Sequence, residues 1–279
     1  MLSKRGLAAI FNSYRGIKMK RFAILVLCGI CLASLFAAGS KEENSLDAIK
    51  SRGTLIIATE GNWTPWTYHD ANDVLTGFDV ELGTLLAKSL GVKPEFQEVP
   101  WESILVGVEQ NVFDIACNGV GYTEERAQKF SFSDPYLYTE AVLVVRSDNT
   151  TIKSLEDLKG RKTSNSPNST YAQLAEKYGA TVDYVDTLGE TMMMIEQGRV
   201  DATINAKGSV DSYLAEHPEA NIKVVQAVAG EPVCYPIRKG EDTQTFLKAI
   251  NDFLAQIRAD GTLSALSIKY FGADLTKAN

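Results

Sequence analysis

The sequence predicts an α/β protein made of two similar halves, and three observations support this class. Short apolar and β-branched runs alternate with segments whose apolar residues recur at helical spacing. The same alternation returns in the second half, although the two halves share no sequence repeat. About 239 residues remain after residues 1–40, which suits one large or two small domains. Strands that alternate with helices imply parallel sheets with right-handed crossovers.

The first half begins with a short amphipathic helix that Gly53 ends. A β-branched, apolar run then predicts a buried strand, and leucines at helical spacing predict a helix that stops at Gly91. The predicted elements, in order, are helix 45–52, strand 54–59, helix 78–90, strand 94–99, a helix from Trp101, and strand 113–117.

The second half continues the alternation after a polar, turn-rich loop at residues 161–170. Thr170 and Gln173 have the spacing of a capping box and predict a helix that begins there and runs to Tyr178. The remaining predicted elements are strand 141–145, a helical turn in 150–158 capped by Ser154, strand 181–185, helix 195–198, strand 200–205, helix 209–216, strand 221–228, a strand-like segment 233–237, and helical residues 242–269 with a break near Gly261.

The N-terminal 40 residues predict a secretory signal, with Met19 as an alternative start. They contain six basic residues and no acidic ones, an apolar run at 22–36, and small residues at 37–40. The run is short for a membrane span, although an uncleaved anchor remains an alternative. No cysteine follows residues 35–38, where a lipid acceptor would be expected, so a lipid anchor is open but not favoured. We therefore expect an exported protein, in the periplasm or at the cell surface.

Composition excludes several classes of function. Removing residues 1–40 takes away six of the 28 basic residues and none of the 35 acidic ones, which leaves a formal net charge of −13. This charge argues against a nucleic-acid partner. His69 and His217 stand far apart, so we expect no metal site, and nothing indicates a cofactor. Cys117 and Cys234 are too few for a disulfide framework, and their pairing is left open, with free thiols favoured.

Three stretches have the chemistry of a small-molecule site. Residues 117–126 follow a predicted strand and offer two glycines, a helix cap and Arg126, whose planar fork matches a carboxylate. Residues 60–66 follow strand 54–59 at the sheet edge where ligands bind in α/β proteins. The loop before the helix at Thr170 is a ready anion site. An ordinary strand–turn–helix junction with a surface arginine is the alternative for 117–126, and core packing is the alternative for Trp63 and Trp66.

The order and spacing of short motifs over residues 48 to about 275 resemble the polar amino-acid-binding proteins of ABC importers. The loop 164–171 looks most like members that bind cystine or related sulfur amino acids. The motifs that carry the resemblance are 53–60, Pro65, 75–81, 113–114, 121–126, 132–136, 155–160, 198–202, 258–262 and 269–271.

The resemblance implies the two-lobed, type II periplasmic binding fold, with two Rossmann-like α/β lobes joined by a hinge that the chain crosses twice. Lobe 1 would comprise residues 46–137 and 235–279, and lobe 2 residues 138–234. Arg126, the backbone N–H of Gly121 and the helix start at Ser169 and Thr170 would hold a ligand carboxylate. The whole expected ligand-binding set is Glu60, Trp63, Trp66, Trp101, Asn118, Gly119, Gly121, Thr123, Arg126, Asn168, Ser169, Thr170 and Asn205.

The chain departs from the family's pattern at Asn205 and Ala206, where relatives usually carry an Asp that pairs with the α-ammonium. Losing such a charge-assisted contact would cost on the order of 1.5–3 kcal/mol unless another acid, such as Glu60, compensates. Gly119 stands where many relatives carry a polar side chain, which leaves a roomier pocket.

The function expected from this resemblance is that of a non-enzymatic, monomeric receptor that delivers a polar amino acid, with cystine or a related compound favoured, to a membrane permease of an ABC importer. One alternative is an exported enzyme of the same fold, similar to cyclohexadienyl dehydratases, which would need a general acid such as Glu60 or a tyrosine. Another alternative is a detached ligand-sensing domain.

Overall fold

Two β-sheets, one of three strands and one of five, are each covered by helices and form the two lobes of the chain in a computed structural model that describes residues 45–278. The predicted α/β class and the two-lobed fold are confirmed. The signal expected at residues 1–40 lies outside the described residues. Within 45–278, no helix has both the length and the apolar character needed to cross a bilayer.

The first half of the chain builds a parallel sheet of three strands, in which Thr54–Thr59 lies between Lys93–Glu98 and Ile115–Ala116. The elements are α1 (Ser45–Arg52), β1 (Thr54–Thr59), β2 (Asn62–Trp63), β3 (Thr67–His69), β4 (Leu75–Thr76), α2 (Phe78–Ser89), β5 (Lys93–Glu98), α3 (Trp101–Glu109), β6 (Ile115–Ala116), α4 (Glu124–Lys129) and β7 (Phe130–Phe132). The strand expected at 113–117 is shorter than predicted, because only Ile115 and Ala116 pair with β1. Both β1 and β6 therefore end at the same edge, immediately before the stretches predicted to bind a ligand.

The second half builds a sheet of five strands in the order β10-β9-β11-β8-β12. Its elements are β8 (Leu137–Arg146), a 3₁₀ turn (Leu155–Leu158), β9 (Lys162–Asn165), α5 (Thr170–Lys177), β10 (Thr181–Tyr184), α6 (Leu188–Glu196), β11 (Ala202–Ala206), α7 (Lys207–Glu216) and β12 (Ile222–Val233). The chain then continues through β13 (Pro236–Arg238), a 3₁₀ turn (Glu241–Thr243), α8 (Gln244–Ala259) and α9 (Thr262–Phe271).

This second sheet is mixed, whereas the alternation predicted parallel strands throughout. Strands β9, β10 and β11 are parallel, but β8 is antiparallel to both β11 and β12. The reason is that β8 carries the chain into this sheet and β12 carries it back out. Their shared end, where Leu137 pairs with Val233, lies beside the pair formed by β7 and β13.

The C-terminal helices return to the first sheet and complete its core. Phe246 and Ile250 of α8 pack in one buried cluster with Leu55 and Ile57 of β1 and Leu82 of α2. Each of these side chains is at most 1% exposed, so burial of the apolar face of α8 contributes to the stability of the first lobe. The expected break near Gly261 is present, since α8 ends at Ala259 and Gly261 adopts a left-handed φ of 83°.

Candidate functional site

One cavity, which encloses about 750 Å³ of space including the part that is open to solvent, is lined by residues of both sheets. It brings together most of the residues predicted to bind a ligand: Glu60, Trp63, Trp66, Trp101, Asn118, Gly119, Gly121, Arg126, Ser169, Thr170 and Asn205.

Thr123 and Asn168, which were also predicted to bind a ligand, do not line this cavity but a neighbouring one. The hydroxyl of Thr123 accepts the backbone N–H of Arg126 at 3.1 Å and caps α4. The backbone carbonyl of Asn168 accepts from Nη2 of Arg126 at 3.2 Å. Both residues therefore orient Arg126: Thr123 contacts its backbone, and Asn168 contacts its guanidinium.

Arg126 connects the two halves of the cavity. Its Nη1 donates to the carbonyl of Gly121 at 2.9 Å, in addition to the contact with Asn168, and its guanidinium carbon lies 5.4 Å from the ring centroid of Trp101. Burial lowers the pKa of Arg126, and the nearby Glu231 carboxylate opposes that shift. A guanidinium has five N–H donors, so the two carbonyl contacts leave donors for a carboxylate in the cavity.

An aromatic wall closes one side of the cavity. Trp63 and Trp66 stack with their ring centroids 5.4 Å apart and their planes at 17°. Trp66 is 1% exposed and packs edge-on against Phe271 at 4.9 Å, so it belongs to the core as well as to the wall. Gly119 has a φ of 57°, and a Cβ there would lie 2.8 Å from the ring of Trp63. A glycine is required because any side chain at this position would collide with the wall.

Asn118 connects β6 to the end of β1. It is buried, and its Oδ1 accepts the backbone N–H of Glu60 at 2.9 Å, while its Nδ2 donates to the Glu60 carboxylate at 2.6 Å. Burial raises the pKa of Glu60 to about 7; the Asn118 hydrogen bond opposes this shift, and the charges of Glu102 and Asp186 add to it. The Glu60 carboxyl is therefore close to half protonated at neutral pH, and a cation in the cavity would favour its charged form.

The N-terminus of α5 forms the opposite wall. The helix begins at Thr170 as predicted, but its cap is Ser169, whose Oγ accepts the N–H of Ala172 at 3.1 Å. The predicted capping box is therefore wrong by one residue, because Thr170 is the first helical residue. Its hydroxyl is consequently available to donate to Oε2 of Glu231 at 3.1 Å.

The wall beside Ala206 contains amides where the resemblance predicted an acid. Asn205 is buried, and its Oδ1 accepts the N–H of Ala206 at 2.8 Å. Asn165, at the end of β9, is 2% exposed and donates from Nδ2 to the carbonyl of Ile204 at 2.7 Å. The Oδ1 of Asn165 has no hydrogen-bond partner within the described part of the chain, although Asn165 lines the cavity. The hydrogen-bonding capacity of this buried oxygen is therefore not used by the described part of the chain.

The set predicted from the sequence omits eight polar residues that line the cavity: Asn62, Thr139, Asn165, Ser166, Tyr171, Asp186, Thr187 and Glu231. Asn165 and Asp186 lie where β9 and β10 end. Ligands bind at the carboxyl ends of strands in α/β sheets, and this rule, which selected the residues after β1, applies equally to β9 and β10. No comparable signal marks Glu231, which lies at the irregular end of β12.

The lining residues carry more acidic than basic groups. The carboxyls of Glu60, Asp186 and Glu231 face one guanidinium, that of Arg126. Among residues 45–278, no group of three or more His, Cys, Asp or Glu side chains is arranged to hold a metal ion. The two candidate cysteines, Cys117 and Cys234, are buried and unpaired. The charge distribution suits a molecule that carries both a carboxylate and at least one cationic group.

The chain belongs to family 3 of the bacterial extracellular solute-binding proteins, whose family model matches residues 55–273. The family predicted from the motifs is therefore confirmed. A similar relative is the L-cystine-binding protein TcyA of Bacillus subtilis, which is 38% identical over 93% of this chain and 100% of its own length.

Two solved structures are also similar. One is an ancestral arginine-binding protein bound to arginine, with a TM-score of 0.74 and 36% identity over 79% of this chain and 99% of that chain. The other is the L-cystine solute receptor of Neisseria gonorrhoeae in its unliganded open conformation, with a TM-score of 0.57 and 37% identity over 84% of this chain and 100% of that chain.

Proposed function

We propose that this protein captures a polar α-amino acid, with L-cystine or a related sulfur amino acid favoured, and delivers it to an ABC importer in the membrane. The observation that carries the proposal is the cavity in which Arg126, the N-terminus of α5 and an aromatic wall meet. An amino-acid ligand is supported by the relatives: TcyA binds L-cystine, and the two similar structures are an arginine-binding protein and an L-cystine receptor.

Arg126 is proposed to hold the ligand carboxylate. Its guanidinium is half-buried and is already oriented by the carbonyls of Gly121 and Asn168, so little conformational entropy is lost when a carboxylate binds. The backbone N–H groups of Gly121 and of the α5 N-terminus complete the carboxylate site, because a helix N-terminus carries partial positive charge. Trp63 and Trp101 cover the body of the ligand.

Ligand contacts with both sheets are proposed to stabilise a closed arrangement of the lobes. With the lobe boundaries proposed from the sequence, 46–137 with 235–279 and 138–234, the two hinge crossings fall near 137–139 and 234–236. These positions lie next to the pair that β8 and β12 form at Leu137 and Val233. A permease would recognise the closed form. We further propose that the protein acts as a monomer, without metal or cofactor, and is exported by the signal at residues 1–40.

A thermal-shift screen against the amino acids and L-cystine, followed by calorimetry on the compounds that shift the midpoint, tests this function. Arg126→Ala should lower the affinity for the bound amino acid at least about 100-fold, since two charge-assisted hydrogen bonds worth roughly 1.5–3 kcal/mol each are lost. Arg199→Ala, at an exposed arginine outside the cavity, is the matched control. Unchanged affinity in Arg126→Ala would contradict the carboxylate assignment.

The proposal is for a binding protein, not an enzyme. The expected outcome is that the amino acid is recovered chemically unchanged after prolonged incubation with stoichiometric protein, as measured by mass spectrometry. A product of altered mass would instead favour the exported-enzyme alternative, with Glu60 as the general acid to mutate first.

A further inference from the structure

Two opposite charges line the same corner of the cavity without touching. The carboxylate of Glu231 raises the pKa of Arg126 and so favours its charged form. No ion pair joins these two described side chains within 4.0 Å. The guanidinium of Arg126 is bonded to backbone carbonyls instead. We propose that Glu231 receives the α-ammonium of the ligand while Arg126 holds its carboxylate, an assignment that rests on the proposed function.

The position of Glu231 follows from the irregular end of β12. The register of β12 against β8 shifts between Ala229 and Pro232, and Glu231 lies within this shift. Its Oε2 accepts the hydroxyl of Thr170 at 3.1 Å. A Cβ at Gly121 would lie 2.9 Å from the same oxygen, so the absence of a side chain at Gly121 leaves room for the carboxylate.

An α-amino acid matches this corner because its carboxylate and its ammonium are bonded to the same carbon atom. A ligand whose carboxylate lies on Arg126 necessarily presents its ammonium to the immediate surroundings of that guanidinium. Glu231 is the acidic lining residue whose charge acts on Arg126, whereas the charge of Asp186 acts on Glu60. A zwitterion bound at this corner therefore forms charge-assisted hydrogen bonds at both ends, from Arg126 to its carboxylate and from its ammonium to Glu231.

The other acceptors near the cavity are less suited to this role. Burial disfavours the charged form of Glu60 and raises its pKa to about 7, and its carboxylate accepts from Asn118 at 2.6 Å. Ala206 has no polar side-chain atom, and the unpartnered oxygen of the neighbouring wall belongs to the neutral amide of Asn165. Glu231 thus supplies the negative charge that the side chain at position 206 lacks.

The test compares a ligand with and without its amino groups. Calorimetry is carried out with L-cystine and with 3,3′-dithiodipropionic acid, which is cystine without its two ammonium groups, on the wild type, Glu231→Gln and Glu140→Gln. Glu140 is exposed on β8 opposite Ala229 and provides the matched control. If the screen selects arginine, the pair becomes L-arginine and 5-guanidinopentanoic acid.

Glu231→Gln should weaken L-cystine binding about 10- to 100-fold, leave 3,3′-dithiodipropionic acid unchanged or bound more tightly, and leave the midpoint of thermal unfolding without ligand near that of Glu140→Gln. Equal losses for both compounds, no loss, or tighter binding of both would overturn the assignment of the ammonium to Glu231 while leaving the proposed function intact. A wild type that binds no amino acid would overturn the proposed function and this inference together.

If Glu231→Gln does not fold, Glu231→Asp serves as the second variant, because it keeps the charge but withdraws the carboxylate from Thr170. Its preference for L-cystine over 3,3′-dithiodipropionic acid should be at least several-fold smaller than that of the wild type. An unchanged preference would overturn the inference.

Discussion

A buried carboxyl beneath Gly119 should make the protein less stable as the pH rises. Asp79 of α2 is fully buried, and its Oδ2 accepts the N–H of Gly119 and the hydroxyl of Tyr136, the latter at 3.2 Å. Its Oδ1 has no hydrogen-bond partner among residues 45–278. Burial raises the pKa of Asp79 from 3.8 to about 7, despite the two hydrogen bonds that lower it.

The sign of the effect follows from the direction of this shift. The folded state holds the proton up to about pH 7, whereas the unfolded chain releases it near pH 3.8. The stability contributed by the protonated carboxyl is therefore fully present below pH 3.8 and is lost as the pH rises to 7. At about 1.4 kcal/mol per pH unit, the loss between pH 5 and pH 8 is about 3 kcal/mol.

The perturbation is Asp79→Asn, and the assay is urea unfolding at pH 5 and at pH 8. From pH 5 to pH 8, the free energy of unfolding should decrease in both proteins. The decrease should be about 3 kcal/mol larger in the wild type than in the variant. Glu60 and His69 are present in both proteins, so their titration cancels. Burial raises the pKa of Tyr136, Tyr235 and Cys117 further, so these groups remain protonated throughout.

The readout is the change in the free energy of unfolding with pH, not its absolute value. The absolute value also changes for another reason, because the amide nitrogen of the variant would replace an oxygen that lacks a partner. The same fall in stability for both proteins would refute the reasoning, since Asp79 would then have the same affinity for a proton in the folded and unfolded states.

Two further predictions concern the walls of the cavity. Gly119→Ala should lower the free energy of unfolding by about 1–3 kcal/mol in urea, because the left-handed φ and the contact with Trp63 both become strained; wild-type stability would contradict this account. Asn165→Ala should change stability by less than about 1 kcal/mol, because the lost bond to Ile204 is offset by removal of an unpartnered oxygen. The same variant should weaken L-cystine binding several-fold in calorimetry, and a large loss of stability with unchanged affinity would show that Asn165 acts on the fold alone.

Local sequence patterns determined the elements that carry the site. The apolar, β-branched run at 54–59 gave a strand with the predicted bounds, and Thr123 caps α4 as predicted, because both depend on nearest neighbours along the chain. The helix at Thr170 was also predicted, but Ser169 rather than Thr170 caps it. Ser and Thr side chains can both serve as N-caps, so the sequence pattern does not choose between these adjacent residues.

The sequence by itself determined the α/β class, the order of the elements and, through its motifs, the family and most of the residues that line the cavity. Only the tertiary structure decided that β8 and β12 are antiparallel, that Asn165 approaches Ile204, and that Glu231 reaches Thr170 and the neighbourhood of Arg126. These contacts join residues distant in sequence through sheet register and through a shift in β12. Periodicity within one segment carries no information about register between segments, so the acidic residue whose charge acts on Arg126 could be found only in the folded chain.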